Sequence, residues 1–381
     1  MGEVSAARAQ QQLAPKVKYT PCIFYRLDKA DDLWYNNSTM IEQRIIRPVW
    51  PVVGHEWAIE ILARSVTSGR MSHAYLFSGP PQIGKTTMAQ AFAQAVNCVG
   101  AEPPCGVCSS CRRIAAGIHP DVRVVRAEGT SIKIDQIREL QREAALSPVE
   151  GRWRVYIVRQ MELATTEAAN CLLKTLEEPP ARVILILTTS DQDALLPTIV
   201  SRCQIFTMHP LPIEKVRAVL SERGIDDGRA RLLARLSMGR LGWAINAASD
   251  PASLDQRQQR LDEMAVLFGQ GWVERFNYAA ELSGNLDEAR RAMDLWLSWW
   301  RDLLLLASGS AVEITNLDRR TELEEATRRY SLDEVYSTII ALRQAIWQLE
   351  HNANARLVLE NLMLHWPDAH ASSKYIVLTR L

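Results

Sequence analysis

The sequence predicts an α/β protein in which a parallel sheet carrying a phosphate loop precedes an all-helical remainder. Three observations predict it. Continuous apolar runs of strand length, Ala74-Tyr75-Leu76-Phe77, Val155-Tyr156-Ile157-Val158 and Val183-Ile184-Leu185-Ile186-Leu187, alternate with helical patterns, as strands buried on both faces of a parallel sheet do. Between the first run and its helix stands Gly79-Pro80-Pro81-Gln82-Ile83-Gly84-Lys85-Thr86, which fits G-x-x-x-x-G-K-[ST]. After Pro210-Leu211-Pro212 the strand patterns stop.

The elements follow in order. Residues 1–47 are mixed and polar without sustained periodicity, and Met40 lies near where order begins. They read as a flexible extension, or as a segment ahead of the true start. A helix is expected over 52–70, with Ala58, Ile61, Leu62 and Ser65 on one face. The first strand, the loop and a helix from Thr87 to Val96 come next, then a cysteine-rich insertion at 98–111. Val122-Arg123-Val124-Val125 reads as a strand and 134–146 as an amphipathic helix with Ile137 and Leu140 inward. Thr165 is placed to cap a helix that runs to Glu177, Glu167 suits its dipole, and Pro179-Pro180 ends it. Ile205-Phe206 reads as a short last strand.

Beyond it, 213–249 reads as short helices broken near Gly224 and Gly239, and the chain is helical from Leu254 onward. The helix over 287–307 carries Trp296, Trp299 and Trp300, which suit either a core or a subunit interface. The 332–364 region carries Val335, Ile339, Leu342, Ile346 and Leu349 at helical spacing. The expected division is an extension (1–47), a sheet domain (48–212), a small helical lid (213–250) and a helical C-terminal domain (251–381).

Composition narrows the class. The 381 residues are 47% hydrophobic and 23% charged, which supports sizeable cores and excludes global disorder. With 44 basic and 44 acidic residues the formal net charge is zero, so a large cationic surface for binding DNA alone is not expected. No apolar run approaches the roughly 18 residues of a membrane span, and no secretory signal is visible. The chain reads as cytosolic.

The loop's chemistry is specific. Backbone N–H groups cradle phosphates, Lys85 reaches the outer ones, and Thr86 offers its hydroxyl to Mg²⁺. Gly79, Gly84, Lys85, Thr86 and Thr87 form the candidate nucleotide-binding set for ATP or ADP with Mg²⁺. Gln82 occupies a position where glycine is easier. Hydrolysis needs carboxylates at the end of a neighbouring strand, to hold Mg²⁺ and to position water. There the Val155 strand is followed by Arg159-Gln160. Glu162 sits two positions past Gln160, a displacement that argues against its standing in. A loop that holds nucleotide without hydrolysing it is expected.

Cys98, Cys105, Cys108 and Cys111 have the spacing C-x6-C-x2-C-x2-C. In a reducing compartment four such thiolates hold a tetrahedral Zn²⁺ more readily than they pair as disulfides, and a four-cysteine site is closed and structural. Cys22, Cys171 and Cys203 stand apart, and Cys171 in a helical run reads as core.

Together these residues resemble the clamp-loader subunits of bacterial replicases, within the AAA+ superfamily. The resemblance runs from about Trp50 to the C-terminus. It rests on Val53-Gly54-His55-Glu56, His73-Ala74-Tyr75-Leu76-Phe77, the phosphate loop, the four cysteines and His119-Pro120-Asp121. It also rests on Ile134-Asp135-Gln136-Ile137-Arg138-Glu139-Leu140, Leu172-Leu173-Lys174-Thr175-Leu176-Glu177-Glu178-Pro179-Pro180, Ser201-Arg202-Cys203 and Asn352-Ala353-Asn354-Ala355-Arg356-Leu357.

The resemblance implies that Arg202 is an arginine finger acting on a neighbouring subunit's ATP, a device worth on the order of 10³–10⁵ in rate. Without the resemblance, Arg202 reads as a helix-terminal arginine in a local ion pair. Thr189 or Ser190 fits the family's polar sensor position. Gly242-Trp243-Ala244 stands where active members carry a phosphate-sensing arginine, so Trp243 is expected to remove a further contact. The losses suit a stationary, non-hydrolysing subunit better than a gamma or tau motor. The implied partners are motor subunits and a delta subunit in a hetero-oligomer joined through a helical collar, with the sliding clamp and primed DNA reached through the assembly and no membrane. An autonomous AAA+ ATPase, or a gamma/tau-like motor, is the alternative reading.

Overall fold

The computed structural model describes residues 50–367 except 251 and 352; the expected N-terminal extension and Cys22 lie outside the described residues. Among the described residues five strands form one parallel sheet: β1 (Ala74–Ser78), β2 (Val122–Val125), β3 (Arg154–Val158), β4 (Val183–Thr189) and β5 (Gln204–Thr207). Their order is β2-β3-β4-β1-β5. Every residue of β1, β3 and β4 is buried, whereas edge strand β5 buries only Phe206. The uninterrupted apolar runs are those of the three inner strands.

Helices cover both faces: α1 (Glu56–Ser68), α2 (Lys85–Asn97), α3 (Ser109–Ala115), α4 (Ile134–Ala144), α5 (Thr166–Glu177) and α6 (Pro197–Val200). Alternation along β1 sorts its side chains: Tyr75 and Phe77 pack with α1 and α2, Ala74 and Leu76 with α4 and α5. The α1 helix is shorter than the expected 52–70. Gly54 and His55 take φ of 78° and 57°, and the helix starts only after them. Ile61, expected inward, is 41% exposed. The helix expected over 134–146 stops at Ala144. Thr165 caps α5 as expected, its hydroxyl accepting from the Ala168 N–H at 3.2 Å.

Three short helices follow, α7 (Ile213–Glu222), α8 (Asp227–Leu236) and α9 (Leu241–Ser249), around their own apolar cluster. The remaining helices are α10 (Ala252–Leu267), α11 (Trp272–Leu282), α12 (Leu286–Ala307), α13 (Arg320–Ala326), α14 (Leu332–Glu350) and α15 (Ala355–Leu364). They enclose another cluster in which Trp296 and Trp300 are fully buried and Trp299 nearly so. The tryptophans of α12 are therefore core.

Candidate functional site

The phosphate loop joins β1 to α2. Gly79 and Gly84 adopt φ of 142° and 112°. A Cβ on Gly79 would stand 2.3 Å from the carbonyl oxygen of Met208, so only glycine fits. Gln82 is held at φ 61°, the left-handed conformation that costs a side-chain-bearing residue roughly 1–2 kcal/mol. The α2 helix starts at Lys85, so its N-terminal N–H groups face the loop. The Lys85 ammonium folds back on the loop, donating to the carbonyl oxygens of Gly79 and, at 2.8 Å, Pro80. Burial lowers its pKa to about 8, and the negative charge of Glu162 opposes that shift. Thr86 is half-buried and Thr87 exposed.

At the end of β3 the expected gap is present. The Arg159 N–H bonds to Val125 of β2, and burial, then the like charge of Arg126, lower the pKa of its guanidinium. Gln160 turns into the left-handed region at φ 54°, with its N–H donating to the Thr188 hydroxyl at 3.1 Å. That turn leads into a 3₁₀ turn, Met161–Leu163. Glu162 is thereby carried back to the end of β4, where one carboxylate oxygen accepts from both the N–H (3.0 Å) and the hydroxyl of Ser190. The other carboxylate oxygen is buried and has no hydrogen-bond partner among the described residues. Of the two sensor candidates, Ser190 faces this carboxylate, while the Thr189 hydroxyl is spent on the Asp191 carbonyl at 2.6 Å.

From α9, the Gly242 N–H donates to the Gln82 carbonyl at 2.9 Å. The residue against the loop is thus Gly242; Trp243, expected there, packs on the lid's apolar cluster instead. Sequence reasoning passed over Gly242 and set Glu162 aside. The positive φ at Gln160 that redirects the chain left no readable signal, since glutamine is uncommon in that conformation.

Arg202 follows α6. Its guanidinium donates to the Thr198 carbonyl at 2.9 Å and pairs with Glu177, at the end of α5, at 2.7 Å. The side chain remains 35% exposed, and burial raises the thiol pKa of neighbouring Cys203 to about 12.

The structure brings the four cysteines of the insertion together. Their sulfurs all lie within 4.8 Å of one another, and all four are free thiols. Cys98 follows α2, Cys108 caps α3 and Cys111 lies inside it. Backbone N–H groups point at the sulfurs: Gly100 and Cys105 on Cys98, Cys108 on Cys105, and Cys111 on Cys108, at 3.3–3.4 Å. Such donors favour thiolates, and the cluster could hold a metal ion. Gln94 of α2 ties it down by donating to the Cys111 carbonyl at 2.8 Å. Cys171 is half-buried and its thiol meets Gln141 at 3.3 Å.

No helix among the described residues is long and apolar enough to cross a membrane. The family model described as "DNA polymerase III, delta subunit" matches residues 54–212, and "DNA polymerase III, delta subunit, C terminal" matches 251–368. DNA polymerase III subunit delta' of Bacillus subtilis (strain 168) is 30% identical over 310 residues, covering 80% of this chain and 94% of that protein. DNA polymerase III subunit tau of Escherichia coli (strain K12) is 36% identical over 245 residues. That match covers 62% of this chain but only 36% of the tau protein. Among solved structures, a DNA polymerase III gamma subunit-related protein of Thermotoga maritima aligns at TM-score 0.41 and 21% identity, over 80% of this chain and 97% of that one.

Proposed function

The chain belongs to the DNA polymerase III delta-prime family, and we propose that it serves as the stationary subunit of a clamp loader, one that holds nucleotide without hydrolysing it. The observation that carries this reading is the end of β3. There an otherwise intact phosphate-loop scaffold presents Arg159 and Gln160, neither of which binds Mg²⁺ well or takes a proton from water at neutral pH. The Gly242 contact supports it, since the residue that meets the loop there carries no side chain.

In this reading there are three working parts. The sheet domain (48–212) binds ATP or ADP with Mg²⁺ through Gly79, Gly84, Lys85, Thr86 and Thr87. The lid spans 213–250. The helical domain (251–381) forms a collar against gamma or tau motor subunits and a delta subunit. Leu332, Tyr336, Ile340 and Trp347, exposed at helical spacing along α14, suit such a contact. Arg202 acts in trans on a motor subunit's ATP. Its exposed pair with Glu177 is of a kind worth only about 0–1 kcal/mol, so a phosphate can take the guanidinium over. Cys98, Cys105, Cys108 and Cys111 hold one structural Zn²⁺. The assembly, in the cytoplasm, opens the sliding clamp and places it on primed DNA.

The test is the clamp- and primed-DNA-stimulated ATPase of the reconstituted complex with wild-type chain or Arg202→Ala. A fall of at least about tenfold in an intact complex is expected. An unchanged rate in an intact complex would leave a scaffold role only, and failure to assemble would overturn the reading.

A further inference from the structure

We infer that Glu162 supplies the carboxylate that the end of β3 lacks: through its free oxygen it anchors a hydrated Mg²⁺ on a nucleotide held by the phosphate loop. This rests on the reading that the loop binds nucleotide, and concerns how the metal is retained there.

Four observations converge. The first is the carboxylate itself, one of whose oxygens is buried with no donor among the described residues. An uncompensated buried carboxylate oxygen is costly and is relieved by a cation or by metal-bound water. The second is its orientation. The other oxygen is fixed by the N–H and hydroxyl of Ser190, so the free one has a set direction.

The third is position. Ser190 directly follows β4, whose last residue, Thr189, accepts from the Gly79 N–H at 3.2 Å. The loop's first glycine and the Glu162–Ser190 pair are therefore two links of one short backbone path. The fourth is the chemistry of Mg²⁺, which keeps several waters and is held by one or two carboxylates together with phosphate oxygens. Thr86 and Glu162 provide one hydroxyl and one carboxylate, enough to retain the ion. A second carboxylate to position water is missing, because Gln160 stands at that place. Glu162 thus makes binding dependent on Mg²⁺ without restoring hydrolysis.

The test titrates the full chain with a fluorescent ADP and a non-hydrolysable ATP analogue, in Mg²⁺ and in EDTA. Wild type should bind at least about tenfold more tightly in Mg²⁺. Glu162→Gln, which keeps the shape and still accepts from Ser190, should lose that gain, its affinity being the same in Mg²⁺ as in EDTA. If its nucleotide-free melting temperature falls, Ser190→Ala, which removes only the orienting hydroxyl, should show a reduced ratio of affinity in Mg²⁺ to affinity in EDTA. A full Mg²⁺ gain retained in both variants overturns the inference and leaves nucleotide binding standing. Saturable binding that is equal in Mg²⁺ and EDTA for wild type overturns it likewise. No saturable binding by wild type, as with Lys85→Ala, overturns both.

Discussion

The N–H of Gly242 donates to the carbonyl oxygen of Gln82 at 2.9 Å, and a Cβ on Gly242 would stand 2.6 Å from that oxygen. Helix α9 therefore meets the phosphate loop backbone to backbone, with no room for a side chain. An arginine at this position could not reach a phosphate without first lifting the lid.

Gly242→Ala should accordingly destabilise the chain by about 1–3 kcal/mol, the usual cost of overpacking, because the atom in the way is backbone and cannot rotate aside. Denaturant unfolding of wild type and variant checks this. Gly242→Arg should cost at least as much and should not raise nucleotide affinity. A gain in affinity would show that the lid can open at little cost.

Arg202 and Glu177 are both partly exposed, and their pair contributes little to stability. Glu177→Gln should shift unfolding free energy by less than about 1 kcal/mol and leave the stimulated ATPase of the assembly near wild type. Arg202→Lys should fail in the same assay, since an ammonium cannot reproduce the planar fork that a transferring phosphate engages. Full activity of the lysine variant would remove the finger.

The cysteine cluster should release about one Zn²⁺ per chain on chelation, with a lowered melting temperature, because site formation contributes folding free energy. Cys111→Ser should abolish the bound metal, whereas Cys171→Ser, outside the cluster, should leave it unchanged. Metal analysis of protein purified under reducing conditions decides the matter; metal-free wild type would rule the site out.

Lys85 sets a pH dependence in the nucleotide-free chain. Its pKa is about 8 when folded and returns to the ordinary 10.5 on unfolding. Between these values the unfolded chain binds more protons, so this group makes stability rise as pH increases from about 8 to 10.5 and fall again as pH is lowered through that window. Below about pH 8 its cost is fully present. Lys85→Met should remove this contribution and flatten the profile over the same range, read from unfolding curves at successive pH values. A parallel profile for the variant would show that the ammonium keeps its ordinary pKa in the folded loop.

Much was legible from the sequence because it is written in near neighbours. The apolar runs of β1, β3 and β4 mark strands buried on both faces. The glycines of the loop mark backbone that no side chain tolerates, and Thr165 marks the start of α5. The spacing of four cysteines marks a cluster that the fold then closes.

Other features depended on which distant segments meet, and spacing does not record that. The tryptophans of α12 and the helical apolar spacing of α14 are equally visible in the sequence, yet only packing decided that Trp296 and Trp300 are interior while Tyr336 and Trp347 face outward. Whether Gly242 or Trp243 touches the loop was settled by how the lid's cluster seats the indole. Glu162 is the sharpest case. Counted along the chain, it lies two positions too late to be of use. One left-handed residue at Gln160, followed by a 3₁₀ turn, bends the backbone so that the late position returns to Ser190. Sequence distance translates into direction only while the backbone stays regular, and the left-handed residue at Gln160 ends that regularity.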